Sequence, residues 1–420
     1  MEKVRKSRTY IYLILILLLF AMVQSVVIGY YGEQWYLGDF AKMDNDDVKY
    51  IRSAWTLLDK QMFVYHDVNQ PTVFIMPGYP FLLAFFMKLF GRIDGLIAVR
   101  YFQGLLQVIS LYLIFRICKD IFNDKIALVA IFLNAIYLPE IVSANLILTE
   151  VVFKFLLVSL IFVSIKAIKS KSLYYYALGG AIWGLAILIR PTILAYPIVI
   201  LTMWMVYKYS AREVIIRTFL VLFIGITIIS PWCIRNYVVF SKFIPLTLSS
   251  GNPFLQGTYI NYDQTKDPLG YKTSSNIIEN DKIETETGIK RLQKNFPKKP
   301  LSYIYWYTLG KSYYFWYVPY YSKDVFGIPF FVMEILHVTL LMLALGSIVL
   351  HKVRFRRESL ILLLIILYFN MMHLPYFTCS RYAYPIMSFV IIFASNTLYN
   401  LIKIRSDRNR LRHFKKIPLQ

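Results

Sequence analysis

Cysteine is nearly absent from this chain. The 420 residues hold three, Cys118, Cys233 and Cys379, and their spacing fits neither a metal cluster nor a redox pair. Histidine is also scarce, with five residues and no ligand spacing among them. Charged residues make up 17% of the chain, against about 25% in soluble domains. Acids are the scarcer sign, 24 against 46 Lys and Arg, for a net charge of +22. Internal repeats are absent. Short segments alternating with a period of two are missing too, which excludes a β-barrel. What remains is apolar: 58% hydrophobic residues, with 34 Tyr and 31 Phe. Several apolar runs approach the ~18–20 residues that span a bilayer as a helix. The chain is therefore expected to be an all-α polytopic membrane protein, and its basic excess reads as cytoplasmic loops rather than nucleic-acid binding.

Apolar segments fall at about 10–30, 77–90, 95–115, 126–139, 147–165, 173–189, 191–207, 214–232, 328–350, 359–376 and 382–402. More than half of the basic residues lie in six short stretches, within 3–8, 116–125, 166–171, 208–217, 352–357 and 403–416. All six face the cytoplasm at once if 77–90 does not cross. That segment opens with "PGYP", a poor helix interior, and is short of the ~30 Å core. It reads as a re-entrant or partly inserted external element, and a true crossing would need a partner such as the aromatic stretch 303–321. Ten crossings result, twelve at most, with both termini inside. The first segment is long for a signal peptide and lacks a small-x-small cleavage site, so it reads as a retained anchor. Two large loops, 31–94 and 233–327, are then external. No soluble domain is expected after the last span; residues 403–420 form a basic cytoplasmic tail. Cys233 and Cys379 share the external side, where a disulfide between them is open.

This topology leaves a set of outward charges. Arg190, Arg235, Arg381 and Glu150 all fall at the outer surface, and arginines there run against the positive-inside bias. Arginine presents a planar fork of donors suited to phosphate. Singly, each arginine is explained by snorkelling or by helix capping; three converging on one face favour a lipid-phosphate substrate. The first loop carries "KMDNDDVKYIRSAW", residues 42–55. Val48, Ile51, Trp55 and Leu58 recur with the spacing of an amphipathic surface helix. Asp44 or Asn45 is its N-cap, and Asp46 and Asp47 suit the first turn.

Taken in order, these motifs resemble the GT-C membrane glycosyltransferases. The resemblance is strongest to the bacterial branch akin to dolichyl-phosphate-mannose–protein mannosyltransferases and lipid A aminoarabinose transferases. "NDDVKY" resembles the acidic motif of the first external loop, and "MPGYPFLLAFFMKLFG" the Pro-Gly-Tyr-Pro segment after it. "LTEVVFKFLL" is similar to a Ser/Thr-Glu/Asp helix start, and "GLAILIRPT" to a Gly-Leu…Arg-Pro turn. "SPWCIRNYVVFSKFIPLTLSSGNPFLQG" resembles the Pro-Trp-x-x-Arg-Asn-Tyr stretch with its Gly-Asn element, and "SRYAYPIMSF" the Arg-Tyr…Pro near the last span. The likeness runs from about residue 10 to 402, which would form one transmembrane catalytic domain. It departs at Asp47, where some relatives have Glu, and in the missing soluble domain.

The resemblance implies an inverting transferase on the outer face of the bacterial cytoplasmic membrane. It would move a monosaccharide, hexose or pentose, from a polyprenyl-phosphate-sugar donor to a lipid, polymer or protein acceptor of the cell envelope. Asp46 is then the candidate general base, with Asp47 second. Arg190, Arg235 and Arg381 are candidates for the donor phosphate. Glu150 orients an arginine or binds sugar hydroxyls. Tyr50, His66, Asn236 and Tyr382 are candidates for the sugar and acceptor pocket, and the loop at 252–257 is expected to cover the cleft. No cofactor is required; a metal at His66 or His373 has no ligand spacing behind it. The competing classes are a transporter or flippase, which would show repeats and midplane charge, and a non-catalytic partner in polysaccharide assembly.

Overall fold

The first apolar run forms helix α1, Glu2–Tyr31, closed by a 3-10 turn at Gly32–Gln34. The amphipathic stripe forms α2, Asp46–Lys60, with Val48 and Ile51 fully buried. Asn45 is its N-cap, its side chain accepting from the Asp46 N–H at 2.7 Å; Asp44 instead accepts from the Asp39 N–H. Helix α3 is Gly78–Phe90 and α4 is Arg92–Ile121. Then come α5, Asp124–Ile136, and α6, Pro139–Asn145, bent by 54° against each other. They are followed by α7, Glu150–Ser170, α8, Leu173–Ile189, α9, Pro197–Val206, and α10, Ala211–Phe240. The second large loop holds α11, Gly251–Gly257, α12, Ile277–Asn295, α13, Pro300–Tyr305, a π-turn at Trp306–Gly310, and α14, Lys311–Trp316. The chain closes with α15, Phe330–Val349, α16, Ser359–His373, and α17, Tyr384–Phe414.

This computed structural model describes residues 2–265, 272–274, 276–349 and 357–414, with no strand among them. The basic residues at 352–356 and the tail beyond 414, read above as cytoplasmic, lie outside the described residues. Six helices are long and apolar enough to cross a membrane, and seven if the bent α5–α6 pair is one span. The remaining expected crossings correspond to shorter apolar helices, α8, α9 (with the turn before it) and α16. The segment 303–321 holds no helix long and apolar enough to cross: α13, the π-turn and α14 follow one another and end at Trp316.

Both ends of α3 stay at one end of the bundle. Its start lies against the end of α8, where a Cβ on Gly78 would fall 2.6 Å from the Leu188 carbonyl oxygen. Only glycine allows that approach, which accounts for "PGYP". Past its end, Arg92 pairs with Asp59 at the end of α2. At about 20 Å for 13 residues, α3 is a packed half-helix.

The two ends of the bundle differ in chemistry. At one end the basic loops are tied by ion pairs, Lys166–Asp120 at 2.7 Å, Lys171–Glu213 at 3.0 Å and Lys169–Glu358 at 3.2 Å. At the other end lie the start of α7, the ends of α8 and α10, and both large loops. Between them the core is mostly apolar, with Ile114, Phe115, Phe153, Leu157, Ile187 and Phe389 among its fully buried side chains.

Candidate functional site

Four elements far apart in sequence meet at the loop-bearing end. Helix α2 starts with Asp46, α7 starts with Glu150, Arg190 caps the end of α8, and a 3-10 turn at Ser380–Tyr382 holds Arg381 just before α17. Their side chains form one continuous chain of charge. Arg190 donates to Thr149 Oγ1 at 2.9 Å and to Glu150 Oε1 at 2.8 Å. Arg381 donates through Nε to the same Glu150 oxygen and through Nη1 to Asp46 Oδ2, the latter at 2.7 Å. Tyr65 donates to Asp46 Oδ1 at 2.6 Å. The order is thus Arg190, Glu150, Arg381, Asp46, Tyr65, with the charges alternating along it.

Burial divides the two acids. The Glu150 side chain is 1% exposed, while that of Asp46 is 38% exposed. Glu150 therefore acts as an internal anchor for both guanidinium groups, and Asp46 is the acid that an incoming molecule can reach. Burial pushes the Asp46 carboxyl up, but the Arg381 charge and the Tyr65 hydrogen bond override it and hold the group below the ordinary carboxylate range. Burial works against the Arg381 charge as well; Glu150 and its other neighbours overcome it and hold the guanidinium firmly protonated. Two polar atoms beside this chain are buried and have no hydrogen-bond partner among the described residues: Glu150 Oε2 and the Tyr320 hydroxyl. Such orphans are costly unless something fills them, and here they border the Arg381 and Glu150 charges.

Asp47 has a different job. It is fully buried and accepts from the backbone N–H groups of Leu37, Gly38 and Val48 at 2.6, 3.2 and 2.9 Å. That clamps the loop before α2 onto the helix start. Gly38 is pressed so close that a Cβ there would lie 2.7 Å from the Asn45 Cβ. Asp47 fixes the direction of Asp46 and faces away from the charge chain.

The remaining sequence candidates separate. Tyr50 is buried between the rings of Tyr65 and Tyr79, on the site side of α2. Tyr382 stacks on His373 at 4.8 Å and carries the Arg190 guanidinium 5.8 Å from its ring, so it supports an arginine. His373 is itself buried and bonded to the Phe369 carbonyl; it does not meet His66. Arg235 is not part of the charge chain. It donates to the Thr72 carbonyl at 2.7 Å and lies among the rings of Phe63, Trp232 and Phe240. There it lies at the edge of a mostly apolar cavity of about 540 Å³ that Gln61 also lines. Asn236 is fully buried and holds the Ile244 carbonyl at 2.9 Å, a turn-fixing role away from the site. Asn252 binds Glu284 at 3.0 Å, and α11 around it packs on α12. All three cysteines are free, so the Cys233–Cys379 bridge is not formed. Among the described residues no three His, Cys, Asp or Glu side chains are grouped to hold a metal.

Sequence reading missed Tyr65 and Arg52, and it singled out Lys154 as a basic residue within a span without an account of it. Tyr65 is one of 34 tyrosines, with nothing in its neighbours to single it out. Arg52 holds the Tyr65 and His66 carbonyls at 2.5 and 3.0 Å and so aims Tyr65 at Asp46. Lys154 sits one turn past Glu150 on α7 and pairs with Glu140 on α6; both side chains are 1% exposed. Gln107 and Tyr384 complete this lower polar layer. The one signal was a lysine inside an apolar run.

Residues 69–234 match the family model described as dolichyl-phosphate-mannose-protein mannosyltransferase. The matched stretch contains Glu150 and Arg190; Asp46, Arg235 and Arg381 lie outside it. No curated protein sequence matches the chain. Among solved structures, the oligosaccharyltransferase AglB of Archaeoglobus fulgidus, in complex with an inhibitory peptide and a dolichol-phosphate, aligns with a TM-score of 0.54 at 13% identity. The alignment covers 97% of this chain and 52% of that one. The same enzyme in its apo form gives 0.52 at 13% identity, with the same shares covered. ArnT of Cupriavidus metallidurans bound to undecaprenyl phosphate gives 0.45 at 12% identity, covering 90% of this chain and 77% of that one. The chain spans about half the length of the archaeal chains. At this identity the likeness is one of fold: the chain shares the helical membrane architecture of the archaeal oligosaccharyltransferase.

Proposed function

We propose that this chain is an inverting glycosyltransferase that moves a monosaccharide from a polyprenyl-phosphate-linked donor to a cell-envelope acceptor. Its site would face the extracytoplasmic side of a bacterial cytoplasmic membrane. The observation that carries the reading is Arg381, one guanidinium shared between a buried acid and a reachable one, with Arg190 on the other side of the buried acid.

The chemistry follows from that sharing. The donor's phosphodiester is a monoanion, and it competes with Asp46 for Arg381. Once phosphate takes part of that charge, Asp46 loses what depresses its proton affinity and becomes a stronger base. An acceptor hydroxyl then attacks the anomeric carbon from the face opposite the phosphate. The new O–C bond forms, the C–O(phosphate) bond breaks, and its electron pair leaves on the phosphate. The hydroxyl proton passes to Asp46. The leaving group becomes a phosphate monoester whose added charge Arg381 and Arg190 stabilise without reorganising. Glu150 keeps both arginines in place, and its free Oε2 and the Tyr320 hydroxyl are the nearest groups for sugar hydroxyls. The apolar cavity edged by Arg235 suits the first isoprene units. The two guanidinium groups supply the positive charge, so we infer that turnover needs no metal.

The test is direct. Purified full chain in lipid nanodiscs is given a panel of undecaprenyl-phosphate monosaccharides, and release of undecaprenyl phosphate is followed by mass spectrometry. At least one donor is expected to be cleaved, with Asp46→Asn slower by about 10²- to 10⁴-fold while still binding undecaprenyl phosphate. Cleavage of none of them, or an Asp46→Asn variant as fast as wild type, overturns the proposal.

A further inference from the structure

The aromatic stretch of the second large loop presents an apolar surface. α13, the π-turn and α14 follow one another without a gap over 300–316, about 25 Å of helix. Tyr303, Trp306, Gly310, Lys311 and Phe315 are buried. On the other side every fourth residue is large, apolar or aromatic, and exposed. These are Leu301, Tyr305, Leu309, Tyr313 and Tyr317, with Leu301 at 81% and Leu309 at 66%. A regular α-helix rotates such a row by about 40° at each step. The wider π-turn rotates it back. Gly310 permits that turn, since a Cβ there would lie 2.6 Å from the Trp306 ring.

Water does not suit five such side chains in line, and three observations select lipid as their cover. The first is level. Trp316 donates to Asn370 at 3.0 Å and Asn370 donates to Ser312 at 2.9 Å, so α14 lies against the last turn of the apolar helix α16. Met371, the next residue, and Leu367, one turn earlier, are both exposed, and the row therefore borders a lipid-facing surface. The second is composition. Three of the five side chains are tyrosines, whose rings suit the acyl boundary and whose hydroxyls suit the headgroups. The third is charge. Residues 287–323 include seven Lys or Arg and no acid, and Lys294, Lys298 and Lys299, just ahead of the row, are exposed. Lipid phosphates complement that charge, whereas a second copy of this chain would bring the same positive charge against it. Between the end of α12 and the start of the row lies a mostly apolar groove of about 570 Å³, lined by Leu292, Phe296, Tyr303 and Ile304 among others, wide enough for part of an acyl chain.

We propose that residues 300–316 lie flat in the membrane interface at the loop-bearing end, with the apolar row among acyl chains and Lys294, Lys298 and Lys299 on lipid phosphates, and that this seat steadies the turn holding Arg381. The buried side of the segment supplies the link. Lys311 donates to the Leu374 carbonyl at 2.6 Å. Tyr262, packed against the rings of Trp306 and Tyr314, accepts from the Thr378 N–H at 2.7 Å and donates to the Thr378 carbonyl at 3.1 Å. Arg381 follows three residues later. The inference stands whether or not the reaction proposed above is correct.

Leu301→Cys, Leu309→Cys and Tyr317→Cys are made one at a time in a Cys233→Ser/Cys379→Ser background; Cys118 is buried. Each is spin-labelled in the full chain, in nanodiscs of phosphatidylcholine and phosphatidylglycerol, and collision with oxygen and with a neutral nickel chelate reports its depth. All three labels are expected at one shallow depth, within the acyl boundary. Tyr305→Cys and Tyr313→Cys serve if one of the labelled variants does not fold. A depth that changes steadily from 301 to 317 means that the segment crosses. Labels reached more readily by nickel than by oxygen mean that it stands in water, and spin–spin broadening means that a second copy covers it. Each of these results overturns the proposal. Leu309→Glu tests the link to Arg381, because lipid repels the new charge. Deuterium exchange of the 374–382 amides should then rise by about tenfold, with Leu309→Phe at the wild-type rate. Exchange that Leu309→Glu leaves unchanged overturns the link.

Discussion

Removing Arg381 should invert the pH dependence of stability that Asp46 contributes. In the wild type the Asp46 carboxyl is held below its ordinary range by Arg381 and Tyr65. A depressed carboxyl contributes stability that is complete above its unfolded pKa, about 3.9, and is lost as pH falls through the lower folded value. Between pH 8 and 4.5 this group therefore leaves wild-type stability flat. In Arg381→Gln the largest lowering influence disappears and burial, which raises the pKa, dominates. Folded Asp46 then binds its proton more tightly than unfolded Asp46, so the variant becomes more stable as pH falls toward 4.5. At neutral pH the substitution removes a pair in which Asp46 is 38% exposed, while buried Glu150 keeps Arg190 at 2.8 Å. The cost lies between that of an exposed pair, at most about 1 kcal/mol, and that of a broken buried one, about 3–5 kcal/mol. We expect about 2 kcal/mol. Thermal unfolding in nanodiscs at fixed salt across pH 4.5–8 gives the answer, with Asp46→Asn/Arg381→Gln as the control that removes the titrating group. Parallel curves for wild type and Arg381→Gln would refute the reasoning, as would a double variant that keeps the slope.

Asp47→Ala should lower stability by about 2 kcal/mol, since three backbone N–H groups lose their acceptor, and should lower turnover per folded molecule less than Asp46→Asn does, so unfolding and turnover measured on both separate the two acids. Tyr65→Phe removes one donor that holds the Asp46 carboxyl down and should shift the acid limb of the turnover profile to higher pH. Lys154→Met leaves Glu140 buried and unpaired and should destabilise by about 3–5 kcal/mol, with Glu140→Leu/Lys154→Met recovering most of it in the same melting assay. Dialysis against EDTA should leave the turnover rate unchanged.

Much of the fold was legible because membrane helices announce themselves by length and composition. All ten expected crossings correspond to apolar helices or, at 126–139, to a bent pair. Segment 77–90 read as non-crossing from its length and "PGYP", and Gly78 shows the cause in its contact with the Leu188 carbonyl. The arginines at the loop-bearing end stood out in the sequence as exceptions to a charge bias, yet that bias reports depth and not neighbourhood. It therefore grouped Arg235 with Arg190 and Arg381, although its guanidinium lies among aromatic rings by the apolar cavity. Asp46 and Asp47 are adjacent and chemically alike, and only the three N–H groups that saturate Asp47 tell them apart. Tyr65 was hidden by the abundance of tyrosine, and Lys154 had no account until Glu140 appeared opposite it. Pairings across helices leave no periodic trace in a single sequence.

The hydrogen bond from Arg381 to Asp46 joins residues 335 positions apart, whereas Arg190 and Glu150 are 40 apart. During synthesis the early pair can close as soon as α8 has emerged. Asp46 must wait for nearly the whole chain, on the order of half a minute at ordinary elongation rates. Until then an acid stands at the membrane surface with only Tyr65 beside it. The last transmembrane helix thus does more than finish the bundle: its arrival completes the charge chain. A chain cut short before residue 381 would lack the guanidinium that links Asp46 to Glu150.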